Sequence, residues 1–200
     1  MTEDDRAEEA EKATQAGRVP GAESALAAAS LSLLQRIILT SDGTVGRILE
    51  QFAGEPMMIT KLSQVLERVN GDNHMLDNHR LGVEHYDQVL RRSVLIQGAR
   101  SGSNFLYAES LVRADSIEPD LFDELVSSDV PLGHLFSQRR LETFREVLGS
   151  GEQDAGVCGQ YFGMPTTEPF VFRTYRIMSG HRPIVLITEK FPLAGSLAAF

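Results

Sequence analysis

Apolar residues change their spacing several times along the chain, and each change marks an element. Leu26, Leu31, Leu33, Leu34, Ile37 and Ile38 recur at near-helical intervals and predict one buried helix ending near Leu39. Ser41-Asp42 offers an N-cap for a second, short helix that carries Val45, Ile48, Leu49 and Phe52 and closes at Gly54. The runs at 56–65, 89–97 and 105–112 then read as strands. A helix over 119–127 follows, with Leu121, Leu125 and Val126 as its stripe, and extended segments at 141–148, 169–178 and 184–189 close the pattern. Helices grouped early and in the middle of about six strands predict an α+β fold, a single domain whose largely antiparallel sheet is flanked by helices. Two stretches read as loops: 70–80, rich in turn formers, and 149–163, with five glycines. Loops of this length often serve as lids or binding segments.

Composition narrows the class. A chain of 200 residues with 42% hydrophobic and 24% charged residues is globular and holds one ordinary domain. No apolar run approaches the roughly 18–20 residues of a membrane span. The acidic opening MTEDDRAEEAEK lacks the apolar core of a secretory signal. Cys158 is the one cysteine, so no internal disulfide forms, which fits a reducing, cytoplasmic setting. A net charge of -9 argues against nucleic acid as a partner, and nothing points to a membrane. A monomer or small homo-oligomer is expected. Residues 1–25 hold seven acids against three bases and almost no large apolar side chain. They predict an acidic disordered tail ahead of a domain over 26–200.

The informative residues are charges placed where a strand should be apolar. Alternation puts Arg92 on the face of Leu90, Val94 and Ile96, and Glu189 on the face of Val185, Ile187 and Phe191. A carboxylate on an apolar face is costly unless paired, hydrogen-bonded or protonated, so its pKa is expected to tend upward. Arg176 lies with Phe170, Phe172 and Met178, whereas Arg173 lies on the other face with Val171 and Tyr175. The plain explanation is a structural ion pair between Arg92 and Glu189, or a strand end in solvent. The sharper one is a mostly apolar pocket with two cationic anchors and one poised carboxylate, suited to a small anionic ligand.

Other constellations are weaker. Asp72, His74, Asp77, His79 and His85 match no zinc or calcium spacing and read as a solvated loop, so no metal is expected. Cys158 lies among glycines without a partner motif. There is no nucleophile elbow, no Walker A loop and no G-x-G-x-x-G. His134, after Pro131-Leu132-Gly133, starts a helical turn.

Four segments in order resemble the chorismate pyruvate-lyases, the 4-hydroxybenzoate-forming family, and most closely its phenolic-glycolipid branch. They are Leu90-Arg91-Arg92-Ser93-Val94-Leu95-Ile96; Ala108-Glu109-Ser110-Leu111; Pro131-Leu132-Gly133 with Leu141-Glu142-Thr143-Phe144; and Tyr175-Arg176-Ile177-Met178-Ser179-Gly180 with Pro183 to Phe191. A looser match lies at Ser41-Asp42-Gly43-Thr44. The resemblance implies a compact antiparallel sheet flanked by helices and a ligand enclosed beneath helical flaps. It also implies removal of pyruvate from chorismate, leaving 4-hydroxybenzoate, without a metal or organic cofactor. The family's active-site arginine corresponds to Arg92 and its glutamate to Glu189, while Leu132, Gly133 and Thr44 fall at pocket positions. Chorismate carries two carboxylates, so a second cation is wanted, and Arg176 or Arg173 is expected to supply it. The chain departs from the ubiquinone-pathway branch at Thr44, where that branch has a larger apolar residue. It also departs at 151–167, which lacks that branch's tryptophan-glycine-arginine stretch.

Two rival readings remain at this stage. One is a non-catalytic module that binds an aromatic acid, since a related fold senses effectors in bacterial transcription regulators. Such regulators carry a basic winged-helix domain, which residues 1–25 cannot supply. The other is a lyase making a different hydroxybenzoate.

Overall fold

The computed structural model describes residues 31–69, 75–84, 87–195 and 197. The expected tail over 1–25, the first turn of the expected leading helix, and Asp72, His74 and His85 lie outside the described residues.

The chain builds two three-stranded meanders and joins them edge to edge. Helix α1 (Leu33–Thr40) and helix α2 (Val45–Ala53) come first. Strand β1 (Met57–Arg68), helix α3 (Met75–Leu81), strand β2 (Gln88–Gly98) and strand β3 (Asn104–Arg113) form the first meander. Helix α4 (Pro119–Ser127) and helix α5 (Leu132–Gln138) cross to the second, made of strand β4 (Phe144–Asp154), strand β5 (Pro169–Ser179) and strand β6 (Arg182–Pro192). The sheet order is β1-β2-β3-β6-β5-β4, and every neighbouring pair is antiparallel. The α+β architecture expected from the apolar pattern is therefore the observed one.

Boundaries shifted for local reasons. Helix α1 begins at Leu33, because Ser32 and Gln35 form a capping box. The Ser32 hydroxyl accepts from the Gln35 amide at 3.1 Å, and the Ser32 amide donates to Gln35 Oε1 at 2.9 Å. The Gln35 side-chain amide then donates to the carbonyls of Pro192 and Leu193, which docks α1 on the end of β6. Helix α2 is preceded by Thr44 at the N-cap, not by Ser41-Asp42, while Gly54 closes it in the left-handed conformation with φ 67°.

Of the two stretches read as loops, the described parts form regular elements and pack on the outer side of the sheet. Residues 75–81 of the first form α3, where Leu81 packs with Leu111 and Leu186. Residues 149–154 extend β4, and Gly156–Phe162 is a 3-10 segment whose Cys158 packs with Tyr107 and Phe170. By alternation Leu111, Leu186, Tyr107 and Phe170 all point away from the face that carries Arg92 and Glu189. Turn-rich composition marked segments that leave the sheet, but not the side on which they return.

The main core lies on the inner face, under α1, α2, α4 and α5, and includes Ile38, Leu49, Leu106, Leu125, Leu135, Val171, Ile177 and Val185. Among the described residues no helix is long and apolar enough to cross a membrane.

Candidate active site

Cross-strand register explains why a cavity opens on the inner face. Neighbouring strands place Arg92 opposite Ser110, Ser110 opposite Ile187 and Ile187 opposite Tyr175. The next row runs from Val94 through Ala108 and Glu189 to Arg173. At its centre β3 therefore contributes only Ala108 and Ser110, side chains too short to meet the helices above. The gap is a concave, mostly apolar cavity of the kind that holds a small molecule. Its floor and walls are largely apolar, with Val94, Ile96, Ile177 and Ile187 among them. Its roof is the start of α2 at Thr44 to Gly46 and the turn into α5 at Pro131 to Gly133.

These two roof segments press against each other. A Cβ on Gly133 would stand 2.5 Å from Thr44 Cγ2, so only glycine lets the turn approach so closely. Farther along, Arg47 donates to Ser137 at 3.2 Å and His134 faces Glu50 at 3.5 Å, which ties α2 to α5 outside the cavity. His134 does belong to a helical turn, but its imidazole engages this tie and not the cavity wall.

Arg92 and Glu189 both line the cavity and both are buried, at 3% and 4% exposure. They do not pair with each other. Glu189 is held by β5: Arg173 Nε donates to its Oε2 at 2.6 Å, and the Tyr175 hydroxyl donates to its Oε1 at 3.0 Å. Arg173 also donates through Nη1 to the carbonyls of Ile38 and Ser41, anchoring the end of α1. Burial disfavours the charge on Arg173, yet the Glu189 carboxylate outweighs it and holds the guanidinium above its ordinary value. The Tyr175 hydroxyl is pushed strongly upward by burial and by the negative charge of Glu189, so it stays protonated and donates.

Arg92 has no such company. Its Nε and Nη2 are buried without any hydrogen-bond partner, and no carboxylate among the described residues pairs with it. Burial alone pushes its guanidinium down to about 10. Nε and Nη2 share one edge of the guanidinium plane, the edge that grips a carboxylate through two parallel hydrogen bonds.

Of the other expected residues, Thr44, Leu132 and Gly133 line the cavity. Arg176 does not: it lies on the opposite face of β5, where its Nε donates to Glu146 at 2.7 Å and its Nη1 to the Arg80 carbonyl. The Phe170–Phe172–Met178 face of β5 is the outer one, so Arg176 is removed from the site by the same alternation that singled it out. Arg173 faces inward but is committed to Glu189 and the end of α1. Three contributors, Arg145, Ala108 and Ser110, are not among the residues expected at the site. Arg145 on β4, opposite Ile177 in the register, reaches the cavity. Ala108 and Ser110 make its floor. Ala108-Glu109-Ser110 does signal a strand with two small residues on one face, whereas Arg145 sits between Phe144 and Glu146 with nothing to set it apart.

Asp77 and His79 lie on α3, on the outer side of the sheet, and among the described residues no three histidine, cysteine or carboxylate side chains cluster as a metal site would require. Cys158 is buried on that same outer side, where burial raises its thiol above the ordinary value.

Known proteins share this framework. In solved structures the fold is similar to PhnF from Mycobacterium smegmatis, with TM-score 0.57 and 13% identity over 76% of this chain and 65% of that one. The effector domain of PhnF alone gives TM-score 0.58 and 13% identity, covering 76% of this chain and 90% of the domain. Thus the chain spans slightly under two thirds of that PhnF chain, and at this identity the likeness establishes the fold only. Sequence relatives are closer. The chain is 29% identical over 159 residues to a chorismate pyruvate-lyase of Mycobacterium leprae, covering 78% of this chain and 72% of that protein. It is 27% identical over 157 residues to a chorismate pyruvate-lyase of Mycobacterium tuberculosis H37Rv, covering 78% of each. Residues 39–199, which include every cavity-lining residue named above, match the family described as chorismate pyruvate-lyase Rv2949c-like, and the chain belongs to that family.

Proposed function

We propose that the cavity converts chorismate into 4-hydroxybenzoate and pyruvate in the cytoplasm. The observation that carries this reading is Arg92: a buried guanidinium with one bidentate edge unpaired, lining an apolar cavity that Glu189 also lines. Two strand spacings, about 10 Å, separate β2 from β6, room for a six-membered ring between Arg92 and Glu189. The ring carboxylate sits on the Nε–Nη2 edge of Arg92, each charge-assisted bond contributing about 1.5–3 kcal/mol.

The chemistry asks little more than orientation and a proton path. The C4–H bond breaks as the C3–O bond breaks, the ring becomes aromatic, and the departing enolpyruvate takes up a proton and becomes pyruvate. Aromatisation supplies the driving force, so the protein contributes positioning and general acid/base catalysis. Glu189 is the acid/base group, taking the C4 proton or handing one to the leaving group. Arg173 and Tyr175 fix its orientation and act as positioning residues. Ala108 and Ser110 leave the ring its space.

A second reading has one observation in its favour, the likeness of the fold to the effector domain of PhnF. It makes the cavity a binding site for an aromatic acid, without turnover. Mixing the protein with chorismate in EDTA, and following pyruvate and aromatic product together, separates the two. Equimolar pyruvate and 4-hydroxybenzoate are expected, and Glu189→Gln is expected to slow their release at least about 10²-fold. Surviving chorismate with tight binding of 4-hydroxybenzoate establishes the second reading instead. A near-normal rate for Glu189→Gln removes that residue from the mechanism.

A further inference from the structure

We propose that Arg145 is the second anion anchor of the cavity, receiving the carboxylate of the substrate's enolpyruvyl side chain while Arg92 holds the ring carboxylate. The inference rests on the chorismate reading for the identity of the ligand, and on the structure for the site.

Elimination leads to Arg145 first. Among the described residues two basic side chains line the cavity, Arg92 and Arg145. Arg173 is taken up by Glu189 and by two backbone carbonyls, and Arg176 and Lys190 are paired with Glu146 and Glu109 on the outer face. Unlike these three, Arg145 has no ion-pair partner among the described residues, and its Nε is buried without a hydrogen bond.

Its surroundings look built to aim it. Arg145 Nη2 donates to Thr44 Oγ1 at 3.0 Å. Thr44 is the N-cap of α2, where a threonine hydroxyl ordinarily accepts from the helix's own first amides, yet here it makes no such bond. The cap is given up to hold a guanidinium, a local rule broken at a cavity mouth. Gly133 completes the arrangement, since a Cβ there would stand 3.4 Å from Nη2 as well as striking Thr44. With Nη2 fixed by one of its hydrogens, its second N–H and the free Nε–H remain as a carboxylate-binding edge.

Position along the sheet gives the anchor its role. Passing from β2 to β4 along the sheet, one meets Arg92, then Ala108 and Ser110, then Glu189, then Tyr175, then Arg145. The two guanidinium groups, each with an unpaired edge, thus flank the acid/base group from opposite ends, four strand spacings or roughly 19 Å apart at the backbone. A ligand with one carboxylate occupies one end. A ligand with a carboxylate on its ring and another on an ether side chain spans both, and its scissile bond falls near Glu189. Arg145 then also stabilises the enolpyruvate as it departs.

Binding of two probes tests this without turnover. 4-Hydroxybenzoate carries one carboxylate, and 3-(carboxymethoxy)-4-hydroxybenzoate adds a second on an ether arm at C3, the position of the enolpyruvyl ether. In calorimetric titrations Arg145→Gln is expected to weaken the second probe at least about tenfold and the first by less than about twofold. Arg145→Lys is expected to restore part of the loss, and Thr44→Val to reproduce a smaller loss in the same sense. An equal loss for both probes overturns the proposal, because it marks Arg145 as structural or as a ring-carboxylate ligand. So does no loss for either, or a wild-type protein that does not bind the dicarboxylate. Failure of the lyase reading shows elsewhere, as a wild-type protein that releases no pyruvate from chorismate while the probe selectivity of Arg145 stands.

Discussion

Arg92 and Arg173 lie on one face of one sheet, two rows of the same core, and are buried to 3% and 1% exposure. Their environments differ in every other respect. Arg173 faces a carboxylate directly across the strand pair and two carbonyls at the end of a helix, so most of what its charge lost on leaving water is returned. Arg92 faces Val94, Ile96 and open space, with nothing returned. The same residue type at the same depth is thus finished structure in one region and an unfilled binding site in the other. Burial of a charge does not distinguish these cases. The census of its hydrogen-bond partners does.

The comparison is broken most severely from the paired side. Arg173→Met leaves Glu189 buried with Tyr175 alone and frees the carbonyls of Ile38 and Ser41, so urea unfolding is expected to show a loss of about 3–5 kcal/mol. Adding Glu189→Leu to that variant is expected to recover much of the loss, since an apolar pair of similar volume carries no desolvation penalty. A loss under about 1 kcal/mol for the single variant would show that the buried pair does not support the fold.

Arg92→Met makes the opposite demand. The substitution keeps an unbranched stem in the apolar wall and deletes an unpartnered charge, so stability of the ligand-free protein is expected not to fall. Affinity for 4-hydroxybenzoate is expected to weaken by roughly 2–4 kcal/mol, because one carboxylate loses both of its charge-assisted bonds. A variant that unfolds readily yet binds normally would reverse the assignment of the two arginines.

Much of this contrast was legible beforehand, and the part that was not has a physical reason. Arg92 and Glu189 stood out because each interrupts an otherwise apolar alternation, and both do face the core. On β5 both faces are apolar, Phe170, Phe172 and Met178 on one and Val171, Tyr175 and Ile177 on the other. Alternation says which residues share a face but not which face turns inward, so Arg176, expected among the substrate-binding residues, lies on the outer face instead. Pairing is a matter of register across strands far apart in sequence, which no spacing within one strand can carry. That is why a pair between Arg92 and Glu189 stood as the plain explanation, and why the actual partner is Arg173. Arg145 was hidden for a similar reason: it becomes a cavity residue only through its place opposite Ile177.

The smallest effect concerns pH and isolates Arg92 from everything else in the cavity. Burial brings its guanidinium down to about 10, well below the ordinary arginine value. Between those values the unfolded chain holds a proton that the folded chain has released, so this group's contribution to stability rises with pH there and is lost as pH falls through the folded value. Ligand binding runs the other way, since a carboxylate wants the charged form. A probe such as 4-methoxybenzoate, with no phenol to titrate, keeps its own charge across the range. Tyr175 does not interfere, because burial and Glu189 hold its hydroxyl protonated there. Affinity is therefore expected to be flat up to about pH 9 and then to fall toward a tenfold loss, about 1.4 kcal/mol, for each unit above about 10. In Arg92→Met the same titration is expected to be weak and flat throughout. A wild-type affinity that stays level to pH 11 would mean that the carboxylate does not rest on Arg92, and the contrast between the two arginines would then describe the fold and not the site.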